Sequence, residues 1–252
     1  MISFKITTYG RVSTLEETLF SFLNQDPEDL KDAECVIVND YDQQILKFNH
    51  PKVKILNVRP SFKTIGEKEN FAVEACTGDI IAVTDDDDIY LSNHLSNIKK
   101  YFVPGTDIMH WKGAYYNEPN IMGLVGIGNS GMVYSKDAWK RFGKHPIMNA
   151  GGDSEFSKKI HAGGTIVEAF PPDDEVSAFY RWSVSGSDNN GIYHQSGQGT
   201  DTPDRPSIIE RHSAHIEMLR AAGRIPTGII ELKPHWKYDY SQILKDYVRN
   251  KK

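Results

Sequence analysis

Four consecutive aspartates, Asp85, Asp86, Asp87 and Asp88, follow the apolar run Ile80-Ile81-Ala82-Val83 with only Thr84 between. The run reads as a buried β-strand that delivers a block of negative charge to one edge of a sheet. Carboxylates packed this closely repel one another unless a cation or hydrogen-bond donors compensate them. Hard oxygen ligands at adjacent or alternate positions suit Mg2+ or Mn2+, so the expected chemistry is that of a divalent-metal site. A calcium loop of the EF-hand kind does not fit, because Tyr90 and Ser96 stand where its sixth-position glycine and twelfth-position glutamate belong. The bland alternative is a solvated acidic turn, but such turns seldom follow so closely on four apolar strand residues.

Strand-like and helix-like runs alternate through the first hundred residues, the pattern of parallel β-α-β units. Ser3 to Thr7 opens the series. Ser13 then caps a helix with Glu16 three residues on, its apolar face being Leu15, Leu19, Phe20, Phe22 and Leu23. Cys35 to Val38 and Val53 to Val58 make the next two strands, with His50-Pro51 breaking any short helix between them. Gly66 precedes a helix over Glu67 to Cys76, with Phe71 and Ala75 on one face. The strand Ile80 to Thr84 places the aspartates at its C-terminal end, where open α/β sheets hold their ligands. A helix is expected over Ser92 to Phe102, a strand over Asp107 to Tyr116, and helices over Ser135 to Phe142 and Ser154 to His161. Thr165 to Ala169 reads as a strand, Ser183 to Pro206 as a long loop, and Ser207 to Ala222 as the last helix.

The chain has 252 residues, 39% of them hydrophobic, enough for one large α/β domain with a sizeable core. A formal net charge of -5 gives no general reason to bind nucleic acid or an anionic membrane. The two cysteines, Cys35 and Cys76, sit in apolar stretches and read as reduced, packed thiols. No signal-like start and no apolar segment near the ~20 residues needed to span a bilayer is visible. The expectation is a soluble, cytoplasmic protein. Its basic end, Lys-Asp-Tyr-Val-Arg-Asn-Lys-Lys, reads as a fraying tail, able at most to touch acidic headgroups at the cytoplasmic face of a membrane.

Four separate segments carry a resemblance: Phe4 to Arg11, Val36 to Asp40, Gly66 to Asn70, and Thr77 to Asp88. Their order and spacing resemble the landmarks of GT-A-fold glycosyltransferases, in particular the inverting group that includes cellulose, hyaluronan and chondroitin synthases and many bacterial surface-polysaccharide enzymes. The likeness covers roughly residues 1 to 170. It implies an α/β GT-A fold, with a Rossmann-like, mostly parallel central sheet flanked by helices. One domain would divide into a nucleotide-sugar-binding half (1–105), an acceptor-binding half (106–206) and a C-terminal helical extension (207–252).

By the same resemblance, Thr8, Tyr9 and Arg11 would lie against the nucleotide, with Gly10 in place of the usual Asn, and Asp40 would accept a hydrogen bond from the base. Asp40 as a simple turn former is the alternative. Glu69 stands where the family has Arg, so Lys68, otherwise a solvent-facing helix residue, would supply the positive charge to the donor diphosphate beside Asn70. The family's Asp-any-Asp motif falls on Asp85 and Asp87. Asp87 would touch Mn2+ or Mg2+ directly, and Asp85 would do so through water or hold the ribose, with Asp86 on the donor side. Gly151-Gly152-Asp153-Ser154-Glu155 matches the helix start that supplies the general base, making Asp153 the catalytic base and Glu155 the reserve on the acceptor side. Asp153 as a helix N-cap is the competing reading. Arg181 and Trp182 would meet the diphosphate, and His194 would complete the metal shell. Trp111, with Tyr115 and Tyr116, would offer an aromatic face to the acceptor, although packed core aromatics fit the same residues. Gly126 to Gly131 is read as close-packed backbone of the acceptor cleft.

The leading expectation is therefore metal-dependent transfer of a sugar from a nucleotide-diphosphate donor, with uridine the favoured base, to a glycan or other hydroxyl acceptor with inversion. Two rivals remain. A nucleotidyltransferase would need a glycine-rich basic loop that Thr7 to Arg11 lacks, and a non-catalytic sugar- or cation-binding module would use the same pocket.

Overall fold

The computed structural model describes residues 1–128, 131–149, 151–181 and 208–251. The first part of the chain forms β1 (Ile2–Thr8), α1 (Val12–Leu23), the one-turn α2 (Pro27–Leu30), β2 (Ala33–Asn39), β3 (Gln44–Lys47), β4 (Val53–Asn57), α3 (Ile65–Ala75), β5 (Ile80–Val83), β6 (Ile89–Tyr90) and α4 (His94–Tyr101). The second part forms β7 (Ile108–Asn117), β8 (Asn120–Gly126), β9 (Val133–Ser135), α5 (Lys136–Arg141), α6 (Gly152–His161), β10 (Ile166–Ala169) and β11 (Ala178–Arg181). Beyond residue 207 come α7 (Ile208–Ala221), β12 (Gly228–Glu231) and α8 (Tyr240–Lys251).

One sheet runs through both parts in the order β4-β2-β1-β5-β9-β7-β11-β6, with β8 and β10 also paired to β7. Strands β4, β2, β1 and β5 are all parallel, as the β-α-β reading requires. Strand β9 enters antiparallel between β5 and β7, so the second part is mixed. The parallel half brings the C-terminal ends of β1, β2 and β5 side by side, and with them Thr8, Asp40 and the aspartate block.

Helices cover both faces. Leu15, Leu19 and Phe22 of α1 and Leu95 and Ile98 of α4 pack on Phe4 and Ile6 of β1. On the other face Val73 of α3, Trp139 of α5 and Phe156 and Ile160 of α6 pack on Val36, Ile81 and Val83. Each such buried side chain contributes about 1.5–3 kcal/mol relative to exposure, and together they fix the strand ends on which the site is built.

Several expectations are corrected. Ser13 does not cap α1: the helix starts at Val12, which leaves Ser13 inside its first turn, with Arg11 as the capping residue and no side-chain cap. The reciprocal cap belongs to α3, where Thr64 accepts from the Glu67 N–H and the Glu67 carboxylate accepts from the Thr64 N–H. The segment between the second and third strands is no helix but β3, which pairs in parallel with β12. The buried side of α3 is Gly66, Lys68, Ala72 and Val73, with Phe71 and Ala75 only partly covered. Gly126 and Gly128 are not close-packed, since a Cβ on either would meet nothing within 4 Å. The basic C-terminal end is not a loose tail through residue 251: it is the second half of α8, and its Tyr247 and Val248 pack, partly buried, on the cluster of Ala114, Tyr116 and Phe179.

Gly66 is the glycine that close approach demands. A Cβ there would lie 1.9 Å from the Pro146 carbonyl oxygen, and the Gly66 N–H donates to Met148 O at 3.1 Å. Backbone cannot yield as a flexible side chain would. Gly66→Ala is therefore expected to destabilise the protein by about 1–3 kcal/mol in urea unfolding. An unaltered midpoint would show that the 146–148 segment does not rest on α3.

Candidate active site

The aspartate block is buried. Asp86, Asp87 and Asp88 are 0%, 2% and 2% exposed, and only Asp85 is partly open. Arg11 reaches across from the start of α1: its Nη1 donates to Asp87 Oδ2 at 2.8 Å, its Nε to Asp86 Oδ2 at 3.2 Å, and its Nη2 to Asp86 Oδ1. Burial works against the Arg11 charge, but Asp86 and Asp87 outweigh it and raise its pKa. From the far side the Arg181 N–H donates to Asp88 Oδ1 at 2.9 Å and its Nε to the Asp87 carbonyl oxygen. Thr18 ties the backbone of the block down, its Oγ1 donating to Asp88 O at 2.8 Å.

Two arginines do not neutralise four carboxylates. Burial, with the charge of Asp87 next, pushes Asp85 up to about 7 despite the nearby Lys5. Burial also raises Asp86 although Arg11 opposes it, and burial with the charges of Asp87 and Asp85 holds Asp88 well above the usual carboxylate range. This surplus of unneutralised oxygen is what a hard divalent cation fits. Among the described residues no three His, Cys, Asp or Glu side chains converge into a complete cation cage. A partial set completed by phosphate oxygens is the usual way Mg2+ is held.

Beneath the block lies a second charged layer. Lys5, 1% exposed on β1, pairs with Glu69 of α3, whose other oxygen accepts from Thr7 Oγ1 at 2.8 Å. Burial lowers the Lys5 pKa to about 8, opposed by the charges of Asp85 and, more weakly, Asp153. Lys5 thus stands within electrostatic reach of both the metal motif and the expected base. Asp153 is exposed in the first turn of α6, whose capping position is Gly151 at φ 69° with no side-chain cap. The N-cap reading of Asp153 is therefore corrected: its carboxylate is not spent on the helix terminus. Glu155 is exposed and accepts from Lys158 Nζ at 2.6 Å.

Other expected site residues are held in the protein's own contacts. Lys68 is buried, its Nζ donating to Asp40 Oδ1 at 2.5 Å and to Thr8 O at 2.6 Å. Asp40 Oδ2 accepts from the Phe62 N–H at 3.0 Å, so both oxygens already have donors. Tyr9 packs on Tyr41 at 5.0 Å between ring centroids, the rings tilted by 59°, and lies under the Lys68 ammonium. Thr8 is buried and its side chain hydrogen-bonds Asp86. Asn70 clamps the following loop, donating to His145 O and accepting from the His145 N–H and Trp139 Nε1. Trp111 is 2% exposed, packed against His94 and Tyr101 rather than facing a cleft, so its acceptor role is not what the structure places there. Tyr116 is likewise buried on Phe179 and Tyr240, while Tyr115 is partly open beside Tyr180. Trp182 and His194 lie outside the described residues. Sequence reasoning missed Lys5, Glu69 and Glu17 as supports of the site; a lysine inside an apolar strand, Phe4-Lys5-Ile6, was the available signal for the first.

Lys68 and Asp40 are one buried ion pair, with side chains 10% and 6% exposed. Removing one partner leaves a buried charge uncompensated, so Lys68→Met is expected to cost about 3 kcal/mol by thermal unfolding. A loss under about 0.5 kcal/mol, the size of an ordinary surface change, would mean that Asp40 has another partner.

The fold and the strand-end acidic site are those of a GT-A glycosyltransferase. The family model described as Glycosyl transferase family 2 matches residues 3–145, more than half of the chain, and the protein belongs to that family. A search of curated proteins by sequence returned no match. Among solved structures, that of Staphylococcus aureus TarS 1-349 in complex with UDP-GlcNAc is similar with a TM-score of 0.59 at 15% identity, over 98% of this chain and 71% of that one. The mannosyltransferase PcManGT from Pyrobaculum calidifontis, in complex with GDP-Man and Mn2+, gives 0.51 at 17% identity over 98% and 68%. GalNAc-T7 with UDP, GalNAc and Mn2+ gives 0.56 at 13% identity over 86% and 48%. In another structure of TarS 1-349 the match spans 62% of that chain's length. These likenesses share the fold. Among the described residues no helix is long and apolar enough to cross a membrane.

Proposed function

We propose that the chain transfers a sugar from a nucleoside-diphosphate donor to a hydroxyl acceptor, with a divalent cation and with inversion. The observation that carries this reading is the buried, incompletely neutralised carboxylate block at the C-terminal end of β5. Asp87, supported by Asp85, would hold Mn2+ or Mg2+; the ion would offset the negative charge on the leaving diphosphate. Thr8, Tyr9 and Arg11 form the wall at the end of β1 where the nucleotide would lie. Asp153 would accept the proton of the attacking hydroxyl. The solved relatives with UDP-GlcNAc and GDP-Man support a nucleotide-sugar donor, and those with Mn2+ support the cation.

The test is incubation with UDP-, GDP-, CDP- and dTDP-sugars with and without Mn2+, read as thermal shift and as product. Slow release of nucleoside diphosphate, with a Mn2+-dependent rise in Tm, is the expected result. Release of sugar 1-phosphate, with the nucleoside monophosphate passed to water or an acceptor, would instead mean nucleotidyl transfer, and binding with no product would mean a sugar-binding module.

A further inference from the structure

The C-terminal segment runs along the outer side of α1 and is caught at successive turns. The Lys233 N–H donates to Glu16 Oε1 at 2.7 Å, Trp236 Nε1 to Ser21 Oγ at 3.0 Å, and the Trp236 ring lies 5.2 Å from that of Phe20. Two of its groups meet one carboxylate: the Lys237 N–H donates to Glu17 Oε2 at 3.0 Å and the Tyr240 hydroxyl to the same oxygen at 2.7 Å. The other oxygen, Oε1, accepts from Arg181 Nη1 at 2.6 Å. Arg181 in turn bonds the Asp87 backbone carbonyl oxygen through its Nε, while its backbone N–H donates to the Asp88 carboxylate. The path from Tyr240 to the aspartate block is therefore continuous as far as the backbone of the block: hydroxyl, carboxylate, guanidinium, Asp87 carbonyl.

This path lies in the interior. The side chains of Glu17 and Arg181 are 6% and 2% exposed, and Tyr240 is 1% exposed. A buried ion pair gives little net stability, because desolvation offsets its attraction, and an apolar pair of the same volume would serve packing as well. What an apolar pair could not do is fix direction. The planar guanidinium presents its donors as a rigid fork, and Glu17, itself aimed by the Lys237 N–H and the Tyr240 hydroxyl, sets the plane of that fork. Arg181 Nη1 and Nε are thus engaged within the protein, by the Glu17 carboxylate and the Asp87 carbonyl oxygen.

We infer that Tyr240, Lys237 and Glu17 are positioning residues of the catalytic site, which orient the Arg181 guanidinium and through it fix the backbone of Asp87, and so set how well that residue holds a divalent cation. The inference rests on the metal-dependent reading above and extends the working site to a segment about 150 residues away from the motif it supports.

The experiment measures Mn2+ binding, alone and with UDP, by isothermal titration on the full chain, together with Tm. Tyr240→Phe removes one donor to Glu17 and keeps the ring; Glu17→Gln removes the charge and keeps the shape. Each is expected to weaken Mn2+ binding about tenfold, the usual size of an outer-shell effect on a metal site. Leu244→Ala, from the same helix but off the path, is expected to lower Tm at least as much and leave Mn2+ affinity at the parent value. That contrast separates positioning from mere loss of stability. Unchanged Mn2+ affinity in Tyr240→Phe, or an equal loss in Leu244→Ala, overturns the inference while the metal-dependent reading stands. A parent protein that binds no Mn2+ with or without UDP overturns both.

Discussion

Asp87→Asn is expected to lower sugar transfer about 10²–10³-fold, the scale on which removal of one charge-stabilising group acts, and to abolish the thermal shift that Mn2+ with UDP gives the parent. The substitution preserves size and an oxygen for Arg11 Nη1, which now bonds Asp87 Oδ2 at 2.8 Å. It removes one negative charge from the block. In the protein without metal that is no loss for stability, because the charge of Asp87 is among the causes that raise Asp85, Asp86 and Asp88. The variant without metal should therefore melt no lower than the parent. With Mn2+ and UDP at a hundred times their dissociation constant the parent gains about 2.7 kcal/mol by mass action, and the variant should gain almost none. Opposite movements of stability and activity are the mark of a site strained for function. A variant that retains the full Mn2+-dependent shift would remove Asp87 from the metal site.

The parts of this site that could be read from sequence are those whose signal is local. The strand before Asp85 to Asp88 is apolar without interruption, and the end of β1 and the start of α6 are marked by short motifs; the structure has these elements within a residue or two of their expected bounds. What sequence could not supply is the choice of partner across the fold. Lys68 on a helix reads as solvent-facing until β2 brings Asp40, 28 residues away, against it. Arg181 reads as a phosphate ligand until Glu17, 164 residues away, claims one arm of its guanidinium. The Ser13 cap failed because α1 begins at Val12, which leaves Ser13 inside its first turn. α8 is a different case, because its signal was present. Tyr240, Leu244, Tyr247 and Val248 recur at helical spacing, and all four join one apolar cluster; the basic residues at the end of the chain drew the reading towards a solvated tail.

Asp153→Asn is expected to lower kcat about 10²–10⁴-fold, the contribution of a general base, with donor affinity and Tm near the parent values. The reasoning starts from what Asp153 does not do. Gly151 at φ 69° occupies the capping position of α6, and no side chain caps that terminus, so loss of the carboxylate leaves no helix end unsatisfied. The residue is exposed, and ordinary surface substitutions move stability by less than about 0.5 kcal/mol. Its charge nevertheless acts on Lys5, as that of Asp85 does more strongly. An acceptor hydroxyl could approach the Asp153 carboxylate from solvent while the diphosphate is held from the strand ends. Asparagine keeps the size of aspartate and cannot take a proton, so a fall in kcat with unchanged donor binding isolates that one step. Glu155 is the rival, already bonded to Lys158. If Glu155→Gln proves to be the variant that loses turnover while Asp153→Asn retains it, the base lies two residues further along α6 and Asp153 has no catalytic part.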